Sequence, residues 1–228
     1  GFSKKTPGTT LSEAKTLADA ADEADVVLFA SWHSRYAPAV ETLKTRLEHT
    51  TIKTVRVTWK EDVRQWHPGQ TWIWQPGGFG VFDPGINALS ILTHVLPSFR
   101  LVSSVLWTPE NCSAPIHAEL AFVDVNGAPI DAEFNFDQPG PPSWDIEVET
   151  EAGRFVMSKG GAHLSHDGTS IVDVPEAEYR ALYDRFLELV ETGVSDVDLA
   201  PLRHVADCFL RADNHTVGPF YEDRPAAH

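Results

Sequence analysis

Asp83 and Asn87 stand four residues apart in Asp83-Pro84-Gly85-Ile86-Asn87, at the head of a stretch with helical periodicity. On a helix that spacing puts both side chains on one face. A helix N-terminus favours negative charge. A carboxylate and an amide side by side can grip a sugar hydroxyl and its neighbour. The competing reading is that Asp83 only caps the helix and Asn87 is an exposed polar residue.

A second group lies just upstream. Trp59-Lys60-Glu61-Asp62-Val63-Arg64-Gln65-Trp66-His67 mixes charge with indoles. Indole faces stack on the C–H groups of a sugar, and charged side chains bind its hydroxyls. Glu61, Trp66, His67 and Trp72 are candidates for that work. Four of the seven tryptophans fall between residues 59 and 74. The clustering favours a site over a loop merely anchored by buried rings. His33, in Trp32-His33-Ser34-Arg35, follows a short apolar strand, where open α/β sheets place their ligand crevice. Its alternative role is structural.

Other chemistries leave no trace. His163, His166, His204 and His215 have no metal-ligand spacing, so no metal is expected. There is no Gly-x-Ser-x-Gly nucleophile motif and no P-loop. Gly78-Phe79-Gly80 comes nearest to a dinucleotide fingerprint. It follows a Trp-rich loop rather than a strand, and Asp83 stands where the third glycine belongs. It reads as a tight turn.

These residues need elements to position them. Thr10-Leu11-Ser12-Glu13 is a capping box for a helix running to about Ala24. Val26–Ala30 reads as a buried strand, Ala37–Glu48 as a helix and Ile52–Trp59 as an alternating strand. A loop from 60 to 82 leads to the helix at Asp83-Pro84, which Pro97 ends. Three hairpins follow, at Asn126-Gly127, Glu151-Ala152-Gly153 and Asp167-Gly168. Helices at Glu176–Thr192 and Leu199–Arg211 close the chain. The fold class is therefore α+β: a large, open, mainly antiparallel sheet with helices on one face. It is preceded by the remnant of an α/β nucleotide-binding domain. Residues 1–58 form that remnant, and 59–228 the α+β domain with the large sheet.

The totals bound the rest. With 228 residues, 42% of them hydrophobic, the chain can bury a sizeable core. Its net charge of −15 repels phosphate backbones and anionic lipid surfaces, so neither nucleic acid nor membrane is an expected partner. No apolar run nears the ~20 residues that span a bilayer. Cys112 and Cys208 read as reduced thiols of a cytoplasmic protein. The chain opens on Gly1 rather than Met, as expected of a fragment or a processed product.

Trp32–Arg35, Trp59–Arg64, Trp66–Gln70 and Pro76–Ser90 closely resemble the aldose 1-dehydrogenases of the Gfo/Idh/MocA family. So do Ser195–Asp198 and Pro201–Arg203 near the other end. The resemblance implies oxidation of an aldose to an aldonolactone, with NAD or NADP as cofactor. It implies that Asp83 and Asn87 meet the reacting end of the sugar. His33, Glu61, Trp66, His67 and Trp144 would line the sugar pocket. Lys5 falls on the family's Glu-Lys-Pro lysine, with Lys4 and Thr6 in place of its neighbours, and either Lys5 or Asp83 would take the proton. The nucleotide domain that opens such enzymes has no counterpart in this sequence, so the chain alone is not expected to bind the cofactor or work as a dehydrogenase. Two alternatives stand beside this: a cofactor-independent lactonase, epimerase or dehydratase, and a non-catalytic sugar-binding subunit. Family members pair through the open sheet face, so a homodimer joined over a large apolar patch is expected.

Overall fold

In Ile52–Lys60, Val55, Val57 and Trp59 are buried while Lys53 and Arg56 face solvent. This period of two marks a strand with one covered and one open face. A computed structural model describes residues 2–3, 10–175 and 177–222. Its first elements are β1 (Phe2–Ser3), α1 (Leu11–Glu23) and β2 (Phe29–Ala30), then a 3-10 turn at His33–Tyr36 and α2 (Val40–Leu47). Next come β3 (Ile52–Lys60), α3 (Val63–Trp66), a 3-10 turn at Thr71–Trp74 and α4 (Phe82–Val95). The strand-rich part holds β4 (Phe99–Pro109), β5 (His117–Asp124), β6 (Pro129–Asn135) and β7 (Ser143–Thr150). It continues with β8 (Gly153–Ser158), β9 (His163–His166) and β10 (Thr169–Asp173). α5 (Glu178–Thr192), α6 (Ala200–Leu210) and β11 (Ala212–Val217) follow.

Nine strands form one sheet in the order β10-β9-β8-β7-β3-β6-β5-β4-β11. The sheet is mixed. β3 runs parallel to β6 and β11 parallel to β4; the other six neighbouring pairs are antiparallel. The three expected hairpins are β5–β6, β7–β8 and β9–β10. β1 and β2 make a separate parallel pair. The covered face of the large sheet carries Val57, Leu120, Ile130, Phe134 and Ile146 under α4 and α6. The open face carries Arg56, Glu119, Asp131 and Glu133 where a large apolar patch was expected. No described helix is long and apolar enough to cross a membrane.

Several local expectations change. β3 is a central strand of the large sheet, between β7 and β6, and does not belong to the opening α/β region. Its alternation suits that place better than a strand buried on both faces. β2 is shorter than Val26–Ala30, because the Val26 amide closes α1 by donating to Ala21 O at 3.0 Å. α2 starts at Val40, since the 3-10 turn and Pro38 occupy the residues before it. β11 had no sequence signal: Ala-Asp-Asn-His-Thr-Val is mostly exposed and polar, and only pairing with β4 makes it a strand. The capping box of α1 is present as read, with Thr10 and Glu13 bonded reciprocally.

α4 lies unusually close to the sheet. A Cβ added at Gly85 would stand 2.5 Å from Cδ2 of the fully buried Phe134. Gly85→Ala should therefore lower the urea midpoint, with the m-value unchanged. Overpacking costs about 1–3 kcal/mol and outweighs the gain of up to ~1 kcal/mol in helix propensity.

On α6, the His204 ring stacks on Phe99 at 4.3 Å and meets Phe122 edge-on. Burial holds its pKa below the ordinary value, against the pull of Asp207. The folded state thus prefers the neutral ring, while the unfolded chain takes up a proton near pH ~6.5. Below that pH the unfolded state binds more protons, so this residue's contribution to stability falls as pH falls. His204→Phe keeps the stack without the proton. Its melting temperature should drop less than the parent's between about pH 7.5 and 5.5.

Candidate functional site

The last residues of β3 set the first wall. Past Lys60 the chain stays tied to the end of β6, with Glu61 N donating to Asn135 O at 2.9 Å and Gln138 N to Glu61 O at 3.2 Å. Asp62 then caps α3 by accepting from Arg64 N at 3.0 Å. This single turn carries Trp66 and delivers His67, whose amide bonds Val63 O at 2.8 Å. Trp144 comes from β7, where it pairs in register with Trp59. His33 sits in the 3-10 turn after β2. Arg35 holds that turn by donating to Ser90 O at 2.7 Å and Thr93 Oγ1 at 2.8 Å on α4, and by an ion pair with Asp198. Trp32 Nε1 adds a bond to Asp198 O at 2.8 Å. These bonds explain Asp198 and Arg35 as supports.

Asp83 is buried in the first turn of α4, 2% exposed. It is not the cap: the helix begins at Phe82, and Val81 in the cap position makes no side-chain bond. Asn87, one turn on, is half-buried. The helix start is fixed by backbone: Val81 N donates to Pro115 O at 2.7 Å, and Asp83 N to Gly80 O at 2.9 Å. Gly80 has φ +54°, and a Cβ there would lie 2.2 Å from Pro115 O. Gly78-Phe79-Gly80 is thus a tight turn pressed on another loop, with no space for a pyrophosphate against its backbone.

Polar groups join across these elements. Trp144 Nε1 donates to Glu61 Oε2 at 2.7 Å. Glu61 Oε1 lies 3.2 Å from His67 Nε2, and His67 Nδ1 lies 3.7 Å from Asp83 Oδ2. Glu61 is only 4% exposed. An imidazole between two buried carboxylates can hold a proton on either side. The Trp66 and Trp144 rings meet edge to face at 5.0 Å, and His67 packs on Phe136 at 5.3 Å.

A cavity of about 340 Å³ opens above this network. His33, Glu61, Trp66, His67, Asn87 and Trp144 line it, together with Trp59 and Pro84. Asp83 does not line it and reaches it through His67. Trp72 is half exposed and stands outside. Lys5 lies outside the described residues, as do Lys4 and Thr6. Glu178 and Tyr179, at the start of α5, were not foreseen. They complete the rim, and Tyr179 stacks on His33 at 5.5 Å with rings 6° from parallel. Burial, then Glu178, pushes the Tyr179 hydroxyl pKa up. No sequence signal marked them, because α5 is joined to the site only by the fold. Among the described residues no group of three or more His, Cys, Asp and Glu can hold a metal ion.

The cavity suits a small polyol with apolar C–H faces. No protein-family model matches the chain. A galactose 1-dehydrogenase from Pseudomonas fluorescens is 46% identical over 188 residues, 82% of this chain and 62% of that protein. The chain thus spans less than two thirds of that relative's length. The crystal structure of a D-galactose-1-dehydrogenase from Rhizobium etli matches with a TM-score of 0.92 at 56% identity, covering 96% of this chain and 71% of that one. A 3-ketoreductase from Actinomadura kijaniata, solved with TDP-benzene and NADP, gives a TM-score of 0.75 at 14% identity, over 92% of this chain and 69% of that one. A levoglucosan dehydrogenase, solved with NADH and levoglucosan, gives 0.71 at 16%, over 90% and 70%. The last two share the fold alone. With 56% and 46% identity to two galactose 1-dehydrogenases, the chain belongs to the aldose 1-dehydrogenase branch of the Gfo/Idh/MocA family.

Proposed function

We propose that this chain provides the sugar-binding and proton-handling part of an NAD(P)-dependent aldose 1-dehydrogenase, which oxidises an aldose to its aldonolactone. The observation that carries the reading is the Trp144–Glu61–His67–Asp83 chain opening into one cavity beside Asn87 and Trp66. Indole edges and faces receive the C–H groups of the sugar. Glu61, Asn87 and His33 bind its hydroxyls. Oxidation at C1 also needs a base for the anomeric O–H proton. His67, beside Asp83, stands at the cavity wall for that step; the family resemblance implies Lys5 or Asp83 itself as the acceptor. The hydride acceptor of this reaction class is NAD(P)⁺. The chemistry assigned to the described residues here is binding and proton transfer. Pairing of two copies through the open sheet face belongs to the same proposal, as does a cytoplasmic setting.

Proton NMR of the chain with a panel of aldoses and aldonolactones, with and without NAD(P)⁺, tests this. Aldose signals should broaden selectively, and Asn87→Ala should remove most of the broadening. No broadening with any aldose overturns the reading. Conversion of a sugar or lactone without nucleotide replaces it with a cofactor-independent enzyme.

Trp144→Phe keeps the ring but takes the donor from the buried Glu61 carboxylate. Leaving such an acceptor unpaired costs about 1–3 kcal/mol. A lower melting temperature should accompany weaker aldose binding, and calorimetric titration beside a thermal melt reads both.

A further inference from the structure

We propose that Arg64 is a positioning residue, which ties the segment bearing Glu61, Trp66 and His67 to residues 220–221 beyond β11 and so sets the shape of the cavity. The proposal rests on the aldose reading for its function but not for the tie itself.

α3 is one turn long, too short to hold its own shape. Yet it carries Trp66 and aims His67. Arg64 is on that turn, does not line the cavity, and leaves only 17% of its side chain exposed. Nη1 donates to Asp62 Oδ1 at 3.2 Å and to Asp137 Oδ1. Nε and Nη2 both donate to Tyr221 O, at 3.2 and 3.1 Å. The guanidinium also sits 4.4 Å over the Phe220 ring. Every face of the group is therefore used, in a geometry a lysine point charge does not reproduce.

The far end of the tie is itself fixed. Asn111 Nδ2 donates to Phe220 O at 2.7 Å, and Phe220 N to Asn111 Oδ1 at 2.9 Å. Phe220 is buried and packs on Trp74 at 5.0 Å; Trp74 packs on Phe136 at 5.8 Å, and Phe136 meets His67 at 5.3 Å. Arg64 and this aromatic row thus approach the 61–67 segment from two sides. Moving residues 220–221 would release both.

The test compares the parent chain with Arg64→Ala, Arg64→Lys, Asn111→Ala and the Arg64→Ala/Asn111→Ala double variant. D-galactose is the probe, titrated by NMR, and amide hydrogen exchange is followed across residues 61–67 without ligand. Arg64→Ala and Asn111→Ala should each weaken galactose binding roughly tenfold and speed exchange at 61–67, and the double variant should be no worse than Arg64→Ala alone. Arg64→Lys should recover little. Binding within twofold of the parent in Arg64→Ala, or losses that add in the double variant, would overturn the tie. If Arg64→Ala does not fold, Asn111→Ala, remote from the cavity, carries the comparison. If the parent itself does not bind galactose, the exchange rates decide: faster exchange at 61–67 in the variants upholds the tie, and unchanged exchange refutes it.

Discussion

A buried carboxylate organises this molecule. Glu61 is almost wholly removed from water, and an ionised group in that position is stable only when its oxygens are hydrogen-bonded and paired. One oxygen is met by the indole N–H of Trp144, the other by the His67 ring. These partners come from different parts of the chain. Trp144 arrives through the antiparallel pairing of β7 with β3, in which it faces Trp59. His67 arrives through the capped turn of α3. A one-residue slip in that pairing would turn Trp144 to the other face of the sheet and leave Glu61 unsatisfied. Strand register and site geometry are thus one constraint.

The same economy places α4. Glycine at 85 lets the helix approach Phe134, and glycine at 80 lets the preceding turn rest on Pro115. With the helix start fixed by backbone bonds, Asp83 need not cap it. Its carboxylate lies 3.7 Å from His67 Nδ1, while Asn87 reaches the cavity. Arg35 binds the opposite wall to the middle of this helix. Walls from the early and middle parts of the chain therefore share one reference element, and α5 joins through the 3-10 turn at His33–Tyr36.

The result is a pocket in which hydrogen-bonding groups converge while indoles supply flat apolar surface. That combination fits a molecule with hydroxyls on its edge and C–H groups on its faces. It also explains why the tryptophans gather where they do. Trp59, Trp66 and Trp144 line the cavity, and Trp74 joins the row behind it, while Trp72 and Trp107 stand apart from it.

Much of this was legible in the residues. The capping box, the three hairpin turns, the alternation of β3 and the i, i+4 pair at 83 and 87 are local patterns, set by short-range sterics and hydrogen bonding, and they can be read wherever they occur. The clustering of charge and indole between 59 and 67 and the place of His33 just past a buried strand likewise pointed to this cavity, and the family resemblance added Trp144. The sequence by itself could not place β3 between β7 and β6, because alternation identifies a half-buried strand and not its neighbours. Nor could it foresee β11, which has no apolar pattern and exists only through β4, or Tyr179, whose helix meets His33 across a long stretch of chain. Local propensity and periodicity were written in the sequence. Which buried donor meets Glu61, and which distant segments close the cavity, depended on contacts between residues far apart in the chain, and only the packed structure decides those.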